Sequence, residues 1–315
     1  MNVVYHYSAG PGLTTRLAAL AREGLSVSVC AMSDHARFAE LLPATEALWH
    51  LLEPVTAEVV TAAPRLRLVQ KIGVGVNTID LEAARARGVA VCNMPGTNTQ
   101  AVVEMTLLLM LGALRRVSQL DAATRTGRGW ELPADLQDHY GEVSGRTVGL
   151  VGYGAVPSRL APVLHAMGAR VLFASRGEKP AAAAGERRPL ADLLAESDVV
   201  SLHVPLTPDT ERLIDAEAIA RMKPGAVIVN TARGALIDEA ALVDALRTGR
   251  IGAAGLDVFE AEPTPAGSAL LAFDNVVCTP HLAWLTRETL ERSLAVAVEN
   301  CRRLATGEEL LHRVV

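Results

Sequence analysis

Short apolar runs alternate with longer runs of helical periodicity over the first part of the chain. The apolar runs are rich in valine and leucine, as buried parallel strands are. They predict strands at Val3–Tyr7, Ser26–Cys30, Leu68–Ile72 and Val89–Cys92, with helices at Leu13–Glu23 and Leu81–Arg87. Alternating strands and helices indicate a parallel sheet with helices on both faces.

The middle of the chain repeats this alternation more regularly. The predicted strands are Thr147–Val151, Arg170–Ala174, Val199–His203, Ala226–Asn230, Gly255–Val258 and Val276–Cys278. The predicted helices are Ser158–Met167, Leu190–Ala195, Ala216–Met222 and Glu239–Arg247, and a loop is predicted at Pro180–Ala184. The sequence therefore predicts a second, self-sufficient doubly wound unit.

The last predicted helix, Arg287–Ala305, follows the second unit and needs a surface to pack on. Returning it to the first unit would bring the chain ends close together, as is common in domains. We therefore expect a discontinuous first domain, residues 1–97 and 285–315, around an inserted domain, residues 98–284. The chain would pass from one domain to the other near Pro95–Thr99 and His281–Arg287, and these two segments would form the hinge. The predicted fold class is α/β, with two doubly wound parallel-sheet domains.

Composition and charge exclude several classes of protein. Half of the residues are hydrophobic, which allows a large core and excludes wholesale disorder. The net charge of −5 and the aromatic content of 3% argue against a nucleic-acid-binding protein. The most apolar stretch, Ala101–Leu114, contains Glu104 and is shorter than the roughly 20 residues of a membrane span. It is predicted to be a buried core helix.

The cysteines show no metal-binding spacing. Cys30, Cys92, Cys278 and Cys301 are scattered, so they are predicted to be reduced thiols, and no metal site is expected. The first residues lack the basic and apolar regions of a targeting signal. The expectation is a cytoplasmic protein that has neither a membrane nor a nucleic acid as a partner.

A glycine-rich turn follows the predicted strand Thr147–Val151. Gly152 permits a tight turn, Gly154 lets a phosphate approach the backbone, and the next helix offers free N–H groups to a pyrophosphate. Pro157 stands where the dinucleotide fingerprint has its third glycine, a position that a first helical turn tolerates. The turn is typical of nucleotide binding, although a glycine-rich turn that binds nothing remains the alternative.

The next strand ends at Ser175 and Arg176, where dinucleotide-binding folds usually carry an acidic residue that holds the adenosine ribose. An acidic group would repel a 2′-phosphate, whereas Arg176 could pair with one in a bidentate manner. The alternative is an exposed loop arginine without a ligand.

Three charged residues follow the later strands. Arg233 comes after one strand, Glu262 after the next and His281 after the last. Ligands of open α/β sheets bind beyond the carboxyl ends of the strands, so these three residues can converge on one crevice. Taken singly, they could be a loop arginine, a surface glutamate and a capping histidine.

Several motifs together resemble the D-2-hydroxyacid dehydrogenase family. They are Thr231-Ala232-Arg233-Gly234, Gly255-Leu256-Asp257-Val258-Phe259 with Glu262-Pro263, Thr279-Pro280-His281, Gly73-Val74-Gly75-Val76-Asn77-Thr78-Ile79-Asp80, Asn98 with Val103-Glu104, and Val204-Pro205-Leu206-Thr207 with Thr210. The resemblance implies a Rossmann cofactor domain inserted into a discontinuous flavodoxin-like substrate domain.

The resemblance also implies residue roles that the chemistry supports. His281 would be the general acid that protonates a ketone oxygen, and Glu262 would fix its tautomer and favour its charged form. Arg233 would bind the substrate carboxylate and polarise the carbonyl. The remaining substrate-binding positions are implied at Val74, Gly75, Val76 and Asn98. The implied cofactor-binding positions are Thr106, Gly152, Gly154, Ala155, Val156, Ser175, Arg176, Val204, Pro205, Thr210, Thr231, Ala232, Arg233, Asp257 and His281, with Asp257 orienting the nicotinamide carboxamide.

The expected activity is reduction of a small 2-oxo acid, such as glyoxylate or hydroxypyruvate, with NADPH preferred and NADH possible. The resemblance implies a homodimer and a site between two domains that close over the substrate. Trp284 stands where many relatives have small residues, so a bulkier site is expected. Two alternatives remain: NAD-dependent oxidation of a 2-hydroxy acid, and a nucleotide-sensing protein similar to the family's corepressors. The set of Arg233, Glu262 and His281 favours catalysis over sensing.

Overall fold

The computed structural model describes residues 1–131, 134–177 and 184–315. Of the predicted loop Pro180–Ala184, only Ala184 is therefore described. Chain contacts divide the protein into two compact units, residues 1–98 with 286–315 and residues 99–285. Both units are α/β, and each contains one wholly parallel sheet, as the sequence predicts.

The first unit is built on five strands in the order β2-β1-β3-β4-β5. Its strands are β1 Asn2–His6, β2 Ser26–Cys30, β3 Ala47–His50, β4 Leu68–Lys71 and β5 Ala90–Cys92. Its helices are α1 Pro11–Ala19, α2 His35–Leu41, α3 Ala57–Ala62 and α4 Leu81–Ala86, with the last helix of the chain, Arg287–Thr306, also in this unit. Buried Val, Leu and Ala side chains between the sheet and the helices form its core.

The second unit is built on seven strands in the order β12-β11-β10-β9-β6-β7-β8. Its strands are β6 Thr147–Val151, β7 Arg170–Ala174, β8 Glu186–Arg187, β9 Val199–Leu202, β10 Ala226–Asn230, β11 Ile251–Leu256 and β12 Val276–Cys278. Its helices are α5 Thr99–Leu114, α6 Val117–Arg125, α7 Ala155–Ala166, α8 Leu190–Glu196, α9 Ala216–Arg221 and α10 Glu239–Arg247, and the last helix of the chain becomes α11. The sheet separates two apolar clusters, and α5 contributes Leu109 and Met110 to one of them.

Some predicted boundaries are wrong. Strand β11 begins at Ile251, not at Gly255, because its glycines admit close packing: a Cβ on Gly255 would lie 2.9 Å from the Leu109 backbone oxygen. Helix α7 begins at Ala155, not at Ser158, and accommodates Pro157 in its first turn. The central strand β3 was not predicted, because its apolar run is short and ends in the polar residue His50.

Candidate active site

The carboxyl ends of three adjacent strands carry the charged residues that the sequence singles out. Strands β10, β11 and β12 are neighbours in the sheet, and Arg233, Glu262 and His281 follow them in that order. Parallel strands end at one edge, which brings these side chains together. Nδ1 of His281 lies 2.6 Å from Oε2 of Glu262. The predicted pairing of His281 with Glu262 is therefore present in the structure.

The Glu262 carboxylate is fixed from two directions. Its Oε1 atom accepts a hydrogen bond of 3.0 Å from the backbone N–H of Phe259, and Oε2 faces His281. Burial raises the pKa of Glu262, but the bonds from His281 and Phe259 and the charges of His281 and Arg233 outweigh it. The pKa of Glu262 therefore lies below its usual value, and the group stays ionised at neutral pH.

The backbone of His281 adopts a conformation that side-chain-bearing residues rarely adopt, with φ of 54°. Its N–H donates to the carbonyl oxygen of Asp257 over 2.7 Å. Its own carbonyl accepts a bond of 3.1 Å from the indole Nε1 of Trp284. A strained residue persists where its surroundings over-determine it, and these bonds have that effect. Trp284 is itself buried, so it supports the backbone of His281.

Asp257 anchors the segment around His281. This fully buried carboxylate accepts bonds from Thr279 Oγ1 at 2.6 Å and from the backbone N–H groups of Leu282 and Ala283, each at 2.9 Å. Burial raises the pKa of Asp257 even though these bonds and the charge of His281 act to lower it. Asp257 therefore bonds to groups of its own chain. Its predicted contact with a nicotinamide amide stays a prediction.

The turn that carries Arg233 is held by Asn230, the last residue of β10. The buried Asn230 amide donates to the Arg233 carbonyl over 2.8 Å and accepts from the Ala232 N–H over 3.0 Å. Sequence reasoning did not single out Asn230, although a buried polar residue at a strand end is a recognisable signal. Burial lowers the pKa of Arg233, while the Glu262 charge raises it.

Gly234 allows the Arg233 turn to touch the loop that leads to Glu262. A Cβ at Gly234 would lie 1.9 Å from the carbonyl carbon of Phe259 and 2.0 Å from its oxygen. Only glycine permits this backbone approach. Since Phe259 also holds Glu262, one tight contact fixes the relative positions of the two charged side chains.

The glycine-rich turn fits a nucleotide. Gly152 has φ of 102°, and a Cβ there would meet the His203 carbonyl oxygen at 2.7 Å, so packing within the chain explains this glycine. Gly154 is different, because a Cβ there would meet nothing within 4 Å. Among the described residues, no side chain caps the start of α7, so the N–H groups of Ala155 and Val156 stay available. An open glycine before uncapped N–H groups suits a pyrophosphate.

Other predicted cofactor residues stabilise one another. The hydroxyls of Thr106 and Thr231 lie 2.9 Å apart and link α5 to the end of β10, next to Ala232. Thr210 bonds through its hydroxyl to the Pro205 carbonyl at 2.7 Å and so shapes the loop that begins at Val204.

One residue at this edge escaped the sequence analysis. His203 follows β9 beside Gly152, and its Nε2 lies 2.9 Å from Ser201 Oγ. Burial lowers the pKa of His203 to about 3, so the imidazole is neutral.

At the end of β7, the structure places Arg176 in the solvent. Its Nη2 lies 3.4 Å from Oδ2 of Asp209, and both side chains are about three-quarters exposed. The Ser175 hydroxyl bonds to the Gly177 carbonyl over 2.9 Å. Among the described residues, no acidic side chain takes the usual ribose-binding position at the strand end itself.

The remaining predicted residues belong to the first unit. Val74, Gly75 and Val76 form a loop after β4 whose carbonyls are engaged: Val74 O accepts from Asn93 Nδ2 over 2.9 Å and Val76 O from the Ile79 N–H over 2.9 Å. Within the described part of the chain, the N–H groups of these three loop residues have no hydrogen-bond acceptor. Such a row of free donors suits an anion. Asn98 is the final residue of this segment of the unit.

The described residues contain no helix with the length and apolarity needed to cross a membrane. They also contain no group of three or more His, Cys, Asp or Glu side chains placed to hold a metal ion.

Known proteins similar to this chain are dehydrogenases and reductases of 2-hydroxy and 2-oxo acids. Residues 107–283 match the family model described as "D-isomer specific 2-hydroxyacid dehydrogenase, NAD binding domain". The chain is 42% identical to glyoxylate reductase of Aeropyrum pernix over 84% of its own length and 81% of that protein. It is 43% identical to D-3-phosphoglycerate dehydrogenase of Mycobacterium leprae over 81% of its own length, but spans only 48% of that relative.

A solved structure agrees along the whole chain. The crystal structure of a glyoxylate reductase from Paecilomyes thermophila has a TM-score of 0.84 and 28% sequence identity, covering 100% of this chain and 98% of that one.

Proposed function

Because this chain belongs to the D-isomer specific 2-hydroxyacid dehydrogenase family, we propose that it reduces a small 2-oxo acid to the D-2-hydroxy acid. The proposed substrates are glyoxylate, hydroxypyruvate or a close analogue, and the preferred cofactor is NADPH. The relatives named glyoxylate reductase support this substrate class.

The observation that carries the proposal is the bond between His281 and Glu262. With Nδ1 directed at the carboxylate, the imidazole presents Nε2 on its other side. Among the described residues, Nε2 has no hydrogen-bond partner, so its proton is available to a substrate oxygen. An acid in this position, held by an ionised carboxylate, is what ketone reduction requires.

Reduction needs a hydride on the carbonyl carbon of the 2-oxo acid and a proton on its oxygen. A bound nicotinamide cofactor would supply the hydride. His281 gives the Nε2 proton to the carbonyl oxygen and is left as neutral imidazole. Glu262 stabilises the charged imidazole before transfer. Arg233 binds the substrate carboxylate and polarises the carbonyl.

The cofactor preference rests on the end of β7. The open Gly154 and the uncapped start of α7 fit the pyrophosphate of either cofactor. The preference for NADPH rests on Arg176, which can exchange its exposed partner Asp209 for a 2′-phosphate. Ser175 can donate to the same phosphate.

The assembly proposed is a homodimer. Leu108, Val117 and Trp130 of the second unit expose 55%, 51% and 96% of their surface. Contiguous exposed apolar patches are typical of interaction surfaces, and the proposed dimer would cover these three side chains. We place the enzyme in the cytoplasm, where its four free cysteines would stay reduced.

The test is a panel of 2-oxo acids assayed with NADPH and with NADH, read as the loss of reduced-nicotinamide absorbance. We expect reduction of glyoxylate or hydroxypyruvate, with higher kcat/KM for NADPH. Activity restricted to oxidation of 2-hydroxy acids with NAD would favour the oxidative alternative. Nucleotide binding without turnover of any of these acids would favour a sensor.

A further inference from the structure

Arg187, on the edge strand β8, reaches the turn at the end of β7. Its Nη2 donates a hydrogen bond of 2.9 Å to the carbonyl oxygen of Ser175. Ser175 and Arg176 follow β7, and Arg187 lies on β8, which pairs with β7, so Arg187 reaches the turn that carries Arg176 from a different element. The sequence analysis did not single out Arg187, because its proximity depends on the pairing of β7 with β8.

The charges of the other arginines near β8 are already balanced. Arg170 lies 3.0 Å from Glu186 and 2.9 Å from Glu196, and Arg188 lies 2.7 Å and 3.3 Å from the same two carboxylates. Arg187 differs from both. Among the described residues, no carboxylate lies within ion-pair distance of its guanidinium.

Arg187 also has donors to spare. A guanidinium carries five N–H groups in a planar fork, and the bond to Ser175 uses one of them. The side chain is exposed, so the remaining donors face solvent. A phosphate dianion takes several charge-assisted hydrogen bonds, and guanidinium groups match its geometry.

We propose that Arg187 is a second specificity-determining residue for the 2′-phosphate of NADPH, acting beside Arg176. This inference rests on the proposed cofactor preference. Arg187 supplies a positive charge that no carboxylate of the described residues balances, whereas Arg176 must first leave Asp209. That ion pair is exposed on both sides, and exposed pairs are weak, so a phosphate can displace it.

The experiment measures the binding of two cofactor fragments to the full-length protein by titration calorimetry. The fragments are 2′,5′-ADP, which carries the 2′-phosphate, and 5′-AMP, which lacks it. The variant Arg187→Gln keeps an amide donor for the Ser175 carbonyl but removes the charge. The matched control is Arg188→Gln, which removes the same charge from the adjacent residue, whose guanidinium is held by Glu186 and Glu196.

We expect Arg187→Gln to raise the Kd of 2′,5′-ADP about tenfold. This factor is at the lower end of what the loss of a charge-assisted hydrogen bond causes, because the site is exposed. The Kd of 5′-AMP should change less than about twofold, since neutral hydrogen bonds remain. Arg188→Gln should leave the ratio of the two Kd values as in the wild type. Thermal melting of each variant checks that the fold is intact.

The possible outcomes distinguish a wrong role for Arg187 from a wrong cofactor preference. If the wild type binds 2′,5′-ADP no better than 5′-AMP, the proposed NADPH preference fails, and Arg187 loses its role with it. Another outcome is that the wild type binds 2′,5′-ADP more tightly than 5′-AMP. If Arg176→Ala then removes this difference in Kd but Arg187→Gln does not, only the role of Arg187 is wrong. Equal weakening of both fragments by Arg187→Gln would show that it merely supports the turn and would overturn the proposal.

Discussion

Nδ1 of His281 lies 2.6 Å from Oε2 of Glu262, and the opposite oxygen of the same carboxylate is bound by the backbone of Phe259. The orientation of the imidazole is therefore determined before any ligand arrives. A fixed tautomer directs Nε2 away from the carboxylate, which is the geometry of a proton donor.

Replacing His281 tests this donor directly. We expect His281→Asn to lower kcat by about 10²–10⁴-fold, the usual contribution of a positioned acid–base group. Asparagine is the better choice than alanine because it tolerates the left-handed backbone of this residue. Binding of the reduced cofactor, followed by its fluorescence, should change little. Turnover close to that of the wild type would refute the role.

Glu262→Gln should slow reduction. Reduction needs the protonated imidazole, and the neutral amide of glutamine cannot stabilise its charge, so we expect kcat for 2-oxo acids to fall. The pKa of Glu262 lies below its usual value, so the carboxylate form persists into mild acid. Its contribution to stability is present above the unfolded-state pKa and is lost as pH falls through the folded-state pKa. A kcat for reduction equal to that of the wild type would argue against the pairing.

Arg233→Lys should be poorly tolerated. An ammonium group cannot reproduce a planar clamp on a carboxylate and a carbonyl. We expect kcat/KM toward 2-oxo acids to fall by about 10²-fold, with cofactor binding retained. The wild type should also reduce simple ketones without a carboxylate far less well than 2-oxo acids. Equal reduction of both substrate classes would contradict the clamp.

Gly234→Ala tests the contact between the two loops. The added Cβ would overlap the Phe259 carbonyl group, so the Arg233 turn must move. Overpacking of this kind costs roughly 1–3 kcal/mol of stability. A displacement near 1 Å lowers kcat/KM by about 10²-fold. The control is Gly267→Ala, where the Cβ would meet nothing within 4 Å. The idea fails if both variants retain wild-type activity.

The sequence predicted the class of fold and the convergence of the charged residues, because both follow from local patterns. An apolar run with a polar residue after it indicates where a buried parallel strand ends, and parallel strands end at one edge. The positions of Arg233, Glu262 and His281 could be predicted from the sequence in this way.

The residues that support the site were harder to predict from the sequence. The bonds that Asp257 makes, the contact of Gly234 with Phe259 and the reach of Arg187 toward Ser175 each join segments distant in sequence. They depend on strand pairing and loop packing, which no local pattern encodes. Strand β3 was missed for a related reason: four residues are too few for a clear pattern, and the burial of its polar residue His50 follows from the central place of the strand in the sheet.

The bonds from Asp257 and Trp284 around His281 have a consequence for solution measurements. A proton donor on a mobile loop would change both its charge and its place as pH varies, and rate profiles would mix the two effects. Here the backbone of the donor is held by buried neighbours. A change in rate can therefore be attributed to proton transfer and not to movement of the donor.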